Sequence, residues 1–272
     1  MFTKKQIDLY KKNGFIKFKM KRIKLLKDLR TQLVKQIHSS IIKNIPTLLK
    51  NKLRITDEFI LNDGMISLEK KNHEFLVEIY NSIARSSAFY ALMSNDEFTT
   101  KINQLLEKDL NNNLFINSNT VRMDIPGKNK FMYGWHQDYK SNIKQSEFIQ
   151  LWMPAVGNVA KKIGGLEILQ DSFKYDIKTS HTKDEQKRRN RNAPIRASFD
   201  TRLLEHKKSF KKKYINCEFG EVVLFNAMLM HKSGLNLSKN KMRYVISCFF
   251  HNIINSDWQF KIMDQKKSNL KY

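Results

Sequence analysis

Glycine and proline are scarce in this chain, at 9 and 4 residues of 272. That excludes collagen-like and low-complexity architectures, which depend on one or both. Cysteine is scarcer still. Cys217 and Cys248 are the whole complement, and nothing in their spacing suggests zinc or a disulfide framework, so a reduced, cytoplasmic setting is expected. No apolar run approaches the ~20 residues needed to span a bilayer. Met1-Phe2-Thr3-Lys4-Lys5 has no apolar segment behind its lysines, so no signal peptide is expected. A soluble protein with no membrane partner follows. Acidic side chains are also few: 26 Asp and Glu stand against 50 Lys and Arg, a formal charge of +24.

Two readings of that charge stand side by side. It would attract an anionic partner or substrate, and it would equally arise from a solvated lysine-rich surface. Lysine heavily outnumbers arginine. Nucleic-acid readers favour arginine for bidentate contacts, so nucleic acid is not an expected partner. A hydrophobic content of 41%, with 18 Phe, 9 Tyr and 3 Trp, argues against disorder. The length suffices for a sizeable core in one large domain spanning 1–272. Nothing in the sequence fixes an oligomeric state.

Periodicity divides the chain at about residue 112. Thr3-Lys4-Lys5-Gln6 fits a capping box, and Gly14 is placed to end the short helix behind it. Phe15–Met20 alternates as a short strand would. Residues 21–50 read as an amphipathic helix on Ile23, Leu26, Val34, Ile37 and Ile41, ended or kinked by Pro46. Residues 67–92 carry a second helical pattern, and Ser94-Asn95-Asp96-Glu97 caps a third. His73 reads as a surface histidine. From Leu114 the period shortens to that of strands: Phe115–Ile125, Glu147–Ala155, Gly164–Leu169, Tyr214–Cys217, Glu221–Met230 and Arg243–Ile253. Many short strands between turns imply a sandwich or barrel. The first third, 1–112, is expected to be mainly helical and packed on a β core at 113–255. A polar, basic insertion at 172–213 is either an active-site lid or a solvated loop.

Trp135-His136-Gln137-Asp138 sets a nitrogen ligand and a carboxylate two residues apart, on one face of an extended chain, while Gln137 points away. A third candidate ligand, His231, follows the apolar run Glu221–Met230. Arg243 opens the next strand, and pairing of those two strands would bring Arg243 back near His231. Two histidines and one carboxylate on one face of an octahedral ion make the facial triad of non-haem Fe(II) oxygenases. Such a triad leaves room for a chelating 2-oxo acid and O2, and an arginine supplies a planar partner for the distal carboxylate of 2-oxoglutarate.

These residues lie in motifs that resemble the phytanoyl-CoA dioxygenase family of Fe(II)/2-oxoglutarate-dependent oxygenases. The resemblance runs through the Gln6–Phe15 entry, Arg122-Met123-Asp124-Ile125-Pro126-Gly127 and Trp135-His136-Gln137-Asp138. It continues in Leu151-Trp152-Met153-Pro154, Gly165–Leu169, Gly220–Phe225, His231-Lys232-Ser233-Gly234-Leu235-Asn236 and Arg243. It implies a mainly β fold with flanking helices, a double-stranded β-helix (a cupin-like jelly roll) with the metal at its open mouth. It implies His136, Asp138 and His231 as the catalytic iron ligands, with Arg243 and, less directly, Trp152 beside the 2-oxoglutarate. The implied cosubstrates are 2-oxoglutarate and O2, and the implied reaction is hydroxylation of a small organic molecule with succinate and CO2 as co-products. Trp152 reads equally as a core tryptophan. Ser233 and Asn236 read as turn formers, and Trp135 as wall packing. Asp138 stands where halogenating relatives carry a small residue, which favours hydroxylation.

One departure stands out. Relatives usually carry Pro-Gly-Ser-His-Lys where this chain has Gln170-Asp171-Ser172-Phe173-Lys174, so the local turn and any substrate contact there are open. A competing reading is a basic jelly-roll binding module for an anionic partner, with a non-catalytic metal site.

Overall fold

In the computed structural model, which describes residues 1–50, 53–107, 114–128, 134–138, 148–175 and 210–252, the chain begins with helix α1 (Lys4–Asn13). Its capping box is complete. The Thr3 hydroxyl accepts from the Gln6 backbone N–H, and the Gln6 side chain accepts from the Thr3 N–H. Gly14 ends the helix in the left-handed region, at φ 75°, where a side chain is disfavoured. The turn sends the chain straight into strand β1 (Phe15–Lys19).

Helix α2 (Ile23–Asn44) buries Leu26, Leu29, Leu33, Val34, Ile37 and Ile41. Leu29 and Leu33 fill the two-turn gap in the apolar stripe read from sequence. The α-helix stops at Asn44, and Pro46 opens a single 3₁₀ turn, Pro46–Leu48. The second helical pattern is not one helix. After α3 (Asp57–Phe59) and a π turn over Ile60–Gly64, which precede it, it comprises α4 (Met65–Lys71), α5 (His73–Ile83) and α6 (Ser87–Met93). The breaks are local. Asn72 and Ser86 turn their side chains onto the N–H groups of Glu74 and Phe89, the competition with helix continuation that such residues provide. His73 is half-buried, 3.7 Å from Glu69. Helix α7 (Asp96–Leu105) is capped by Asn95 rather than Ser94. Glu97, read as the return half of a box, instead accepts from the backbone N–H groups of Lys21 and Arg22. Among the described residues no helix is long and apolar enough to cross a membrane.

The β region forms two sheets. The larger has the order β1-β6-β3-β8-β2 and the smaller β5-β4-β7. The strands are β2 (Leu114–Asp124), β3 (Phe148–Pro154), β4 (Leu166–Leu169), β5 (Lys212–Ile215), β6 (Glu221–Asn226), β7 (His231–Ser233) and β8 (Arg243–Asn252). All registered pairs are antiparallel. Side chains alternate between two cores, as the period of two requires. Ile149, Leu151, Met153, Val222, Leu224, Ile246, Cys248 and Phe250 join the helices in one cluster. Trp152, Val223, Phe225 and Val245 face the smaller sheet, against Leu166, Ile168 and Ile215. The helical layer is latched to β8 by two hydrogen bonds. The Tyr244 hydroxyl donates to the Leu61 carbonyl at 2.5 Å, and the Met242 N–H donates to Asn62 Oδ1 at 2.9 Å.

One expectation fails. The run Glu221–Met230 is not a single strand, and β6 does not pair with β8, because β3 lies between them. Asn226 breaks the run. Its side chain accepts from the Met228 N–H and its carbonyl from the Leu229 N–H. The chain then crosses to the smaller sheet, where β7 pairs with β4. Residues 176–209 of the basic insertion lie outside the described residues, as does Ile253.

Gly14 has a strict requirement. A Cβ there would overlap the Phe173 ring, and the left-handed conformation itself costs a non-glycine residue about 1–2 kcal/mol. Gly14→Ala is expected to lower stability by at least that amount in chemical denaturation.

Candidate metal centre

The segment 134–138 has no ladder partner except at one point. The His136 N–H donates to the His231 carbonyl and the His231 N–H to the His136 carbonyl, both at 3.0 Å. This isolated antiparallel bridge places the two histidines directly opposite each other. Their rings lie 4.2 Å apart, tilted by 49°. Each ring is oriented by a backbone carbonyl two residues back: His136 Nδ1 is 2.7 Å from Gly134 O, and His231 Nδ1 is 2.9 Å from Leu229 O. A carbonyl can only accept, so each Nδ1 carries the hydrogen and each Nε2 presents a lone pair.

Both lone pairs face Asp138. Its Oδ1 is 3.5 Å from His136 Nε2, and its Oδ2 is 3.3 Å from His231 Nε2. The three ligand atoms lie within 4.8 Å of one another. Burial pushes the Asp138 carboxyl up, but His231 and His136 outweigh it and hold the group well below the usual carboxylate range. Burial, and then His136, push His231 down. At neutral pH the cluster is therefore a carboxylate with a neutral His231, the protonation state that metal ligation demands. Electron-pair donors converging in a buried site repel unless a cation lies between them, so the donor set fits a divalent ion.

Residues that carry no ligand hold this geometry. Gln137 turns away from the cluster, and its amide donates to Met228 O at 2.6 Å and Tyr175 O at 2.8 Å. Ser172, fully buried, donates to Leu169 O and accepts from the Met230 N–H, fixing the residue before His231. The departure at Gln170–Lys174 is resolved here. Asp171 adopts the left-handed φ of 62°, a conformation aspartate tolerates. Phe173 packs against Gly14 and the inter-sheet core. Trp135 packs with Leu169 and Met230, beneath the ammonium groups of Lys232 and Lys212 at 5.2 and 5.7 Å from its ring centre.

Arg243 comes near the histidine strand by a different route from the strand pairing expected. It stands opposite Asp124 in the β2–β8 register and reaches across to the turns of the smaller sheet. Its Nη1 donates to Gly234 O at 2.9 Å and to Gly164 O. Its Nε and Nη2 lie 2.9 and 2.8 Å from Asp124 Oδ2. Arg122 reaches the other oxygen of the same carboxylate, with Nη2 at 3.3 Å from Oδ1. Burial raises the Asp124 pKa, but Arg122 and then Arg243 outweigh it, leaving the group lowered. Trp152 lies buried in the inter-sheet core. Asn236 is a turn former, as expected, since its amide donates to Asp124 O and Lys241 O. Asp124, Gln137 and Ser172 carried no role in the sequence reading. The available signal was a lone acid at the end of an apolar strand, before Pro126-Gly127.

A family model described as Phytanoyl-CoA dioxygenase (PhyH) matches residues 43–245. The Gln6–Phe15 stretch lies outside that range. No curated protein matches the sequence. Solved structures do share the fold. EvdO2 from Micromonospora carbonacea var. aurantiaca complexed with 2-oxoglutarate is 13% identical, with a TM-score of 0.52 over 93% of this chain and 91% of that one. EctD from S. alaskensis with bound Fe is 14% identical, with a TM-score of 0.56 over 92% and 76% of the two chains. The epimerase SnoN in complex with Fe3+, alpha ketoglutarate and nogalamycin RO is 11% identical, with a TM-score of 0.51 over 91% and 82%.

The buried Asp124 predicts an acid-sensitive fold. Its folded pKa is depressed, so its contribution to stability is whole above the unfolded value of about 3.9. That contribution is lost as pH falls through the folded value. Asp124→Asn is expected to cost about 3–5 kcal/mol in urea denaturation at pH 7, because Arg243 stays buried without its counter-ion. The difference from wild type should shrink as pH is lowered below 4.

Proposed function

The chain belongs to the phytanoyl-CoA dioxygenase family of Fe(II)/2-oxoglutarate-dependent oxygenases, and from that premise we propose that it hydroxylates a small organic substrate at a His136–Asp138–His231 iron centre. The convergence of those three side chains around one point carries the reading. The whole chain, 1–272, is taken as one catalytic domain in a cytoplasmic setting, which suits its two buried free cysteines.

Iron held at this centre would, with 2-oxoglutarate and O2, supply the oxidising chemistry, one oxygen atom passing into succinate as CO2 is lost and the other into the substrate. The protein's own share is positioning. The Nδ1–carbonyl contacts fix both imidazoles so that Nε2 faces the ligand point, and the ionised Asp138 closes the third corner. Three ligands on one face would leave the other positions for 2-oxoglutarate and O2. Arg243 and Arg122 both pair with Asp124, so guanidinium groups are gathered at one side of the inter-sheet space. A guanidinium is a planar, bidentate partner for a carboxylate, and the distal carboxylate of 2-oxoglutarate would take that place. In this reading Arg243 steers and orients the cosubstrate without giving up Asp124, and Trp152 lines the same inter-sheet space. The basic character of the chain then serves the dianionic cosubstrate first, and an anionic substrate is not needed to account for it. The competing binding-module reading draws no support from the complete ligand set.

The test is succinate release from 2-oxoglutarate with Fe(II). Wild type should release it, and Asp138→Ala should lose at least about a hundredfold of that rate. Equal release from both would sink the assignment. Wild type should also gain thermal stability from Fe(II) and 2-oxoglutarate together, and Asp138→Ala should not.

A further inference from the structure

The inner face of the larger sheet carries a buried polar group that the metal centre does not use. Gln150 lies on β3, only 5% exposed. Its amide Nε2 donates to the Ser247 hydroxyl at 3.1 Å, while its carbonyl oxygen is buried with no hydrogen-bond partner. A buried carbonyl left unmatched costs stability, whereas an apolar side chain of similar shape would cost nothing there. Fastening β3 to β8 does not explain it, since those strands are already joined by a seven-pair ladder.

The place of Gln150 suggests what the oxygen is for. In register it stands between Phe225 on β6 and Phe249 on β8, with all three side chains on the same face. The Phe225 ring packs 4.7 Å from the ring of His231. Phe249 in turn packs on Phe148, at 5.2 Å, and Phe148 on His251, at 4.5 Å. Burial pushes His251 down to about 4, so at neutral pH this wall is aromatic and uncharged apart from one amide. Ser247 is half-buried, while every other residue of β8 from Arg243 to His251 is buried. Ser247, the hydroxyl partner of Gln150, is thus the one residue of that stretch left partly uncovered. The terminal amide torsion is broad, so the carbonyl can turn to meet a donor.

We propose that Gln150 determines substrate specificity: its carbonyl accepts a hydrogen bond from a neutral hydroxyl, amine or amide N–H of a small molecule held against Phe225 and Phe249. This rests on the oxygenase reading above. The cosubstrate cannot satisfy the same oxygen, because 2-oxoglutarate at neutral pH offers only acceptors. A site built around one buried acceptor rejects a ligand that cannot donate to it, since the acceptor is then left unpaired.

The experiment compares the full-length wild type with Gln150→Met, close in shape and without the amide. The probes are small aromatic alcohols and amides, each matched with its O- or N-methylated counterpart. Without probe, Gln150→Met should melt about 2–4 °C higher, as removal of an unmatched buried group predicts. Its KM for 2-oxoglutarate in uncoupled succinate release should stay within about twofold of wild type. Donor-bearing probes should stimulate wild-type succinate release about tenfold or more over their methylated partners, and the variant should lose that preference. A lower melting temperature in the variant would make Gln150 structural. A 2-oxoglutarate KM raised more than about fivefold would make it a cosubstrate residue, and the absence of any donor preference in wild type would remove its role. Each of these outcomes overturns the proposal. Should wild type release no succinate at all, the oxygenase reading fails separately. Thermal stabilisation of wild type but not Gln150→Met by the donor-bearing probes alone would then uphold the Gln150 contact, and its absence would overturn it.

Discussion

Two backbone hydrogen bonds between His136 and His231 hold a segment that has no strand of its own against the first residue of β7. Everything at the candidate metal centre follows from that bridge. Residues directly opposite in an antiparallel pair bring their side chains together on one face, so both imidazoles arrive at the same point. Asp138, two residues on, completes the corner. The supporting bonds all act on this bridge: Gln137 anchors one side, and Ser172 fixes the residue before His231 on the other. The neutral state of His231 and the ionised state of Asp138 are consequences of the burial and proximity so created.

A second constraint lies at the other end of the inter-sheet space, where Arg243 and Arg122 close on Asp124. Arginine keeps its charge even when buried, so the fold must provide counter-ions as it provides volume. It provides Asp124, which both guanidinium groups reach, with the carbonyls of Gly164 and Gly234 taking further donors from Arg243. Gly164 is part of the same arrangement. It has a φ of 89°, and a Cβ there would lie 2.5 Å from Arg243 Nη1. The apolar residues between the two sheets, among them Trp152, Val223, Phe225 and Val245, lower the local dielectric and so strengthen such charge pairs.

Much of the local structure was legible from single residues. Thr3, Gln6 and Gly14 specify α1 because capping and left-handed glycine act within a few residues. Phe148–Pro154 and Arg243–Asn252 read as strands because short, nearly continuous apolar runs rich in aromatic and β-branched residues suit a strand covered on both faces. The members of the candidate cluster were legible too, since His-x-Asp and a later histidine before a glycine turn form a chemical pattern. The helical pattern over 67–92 was read as one stretch, and it is three helices. Asn72 and Ser86 cut it into pieces by bonding to nearby N–H groups, a preference the apolar pattern does not register. Glu97 was misassigned for the opposite reason: its partners, Lys21 and Arg22, are distant in sequence.

The sequence by itself determined the elements, the candidate ligands and the presence of a charged arginine that needs a partner. Those properties reside in residue types and short spacings. Tertiary structure alone decided which residues meet. Asn226 ends β6 and sends His231 to the smaller sheet, so the histidine and Arg243 approach across the interior and not along paired strands. Asp124 becomes the counter-ion of Arg243 only because β2 lies beside β8 in a particular register. Gln150 becomes an unmatched acceptor only because β3 is central and covered on both faces. Burial and register are properties of neighbours far away in the chain, and no local pattern encodes them.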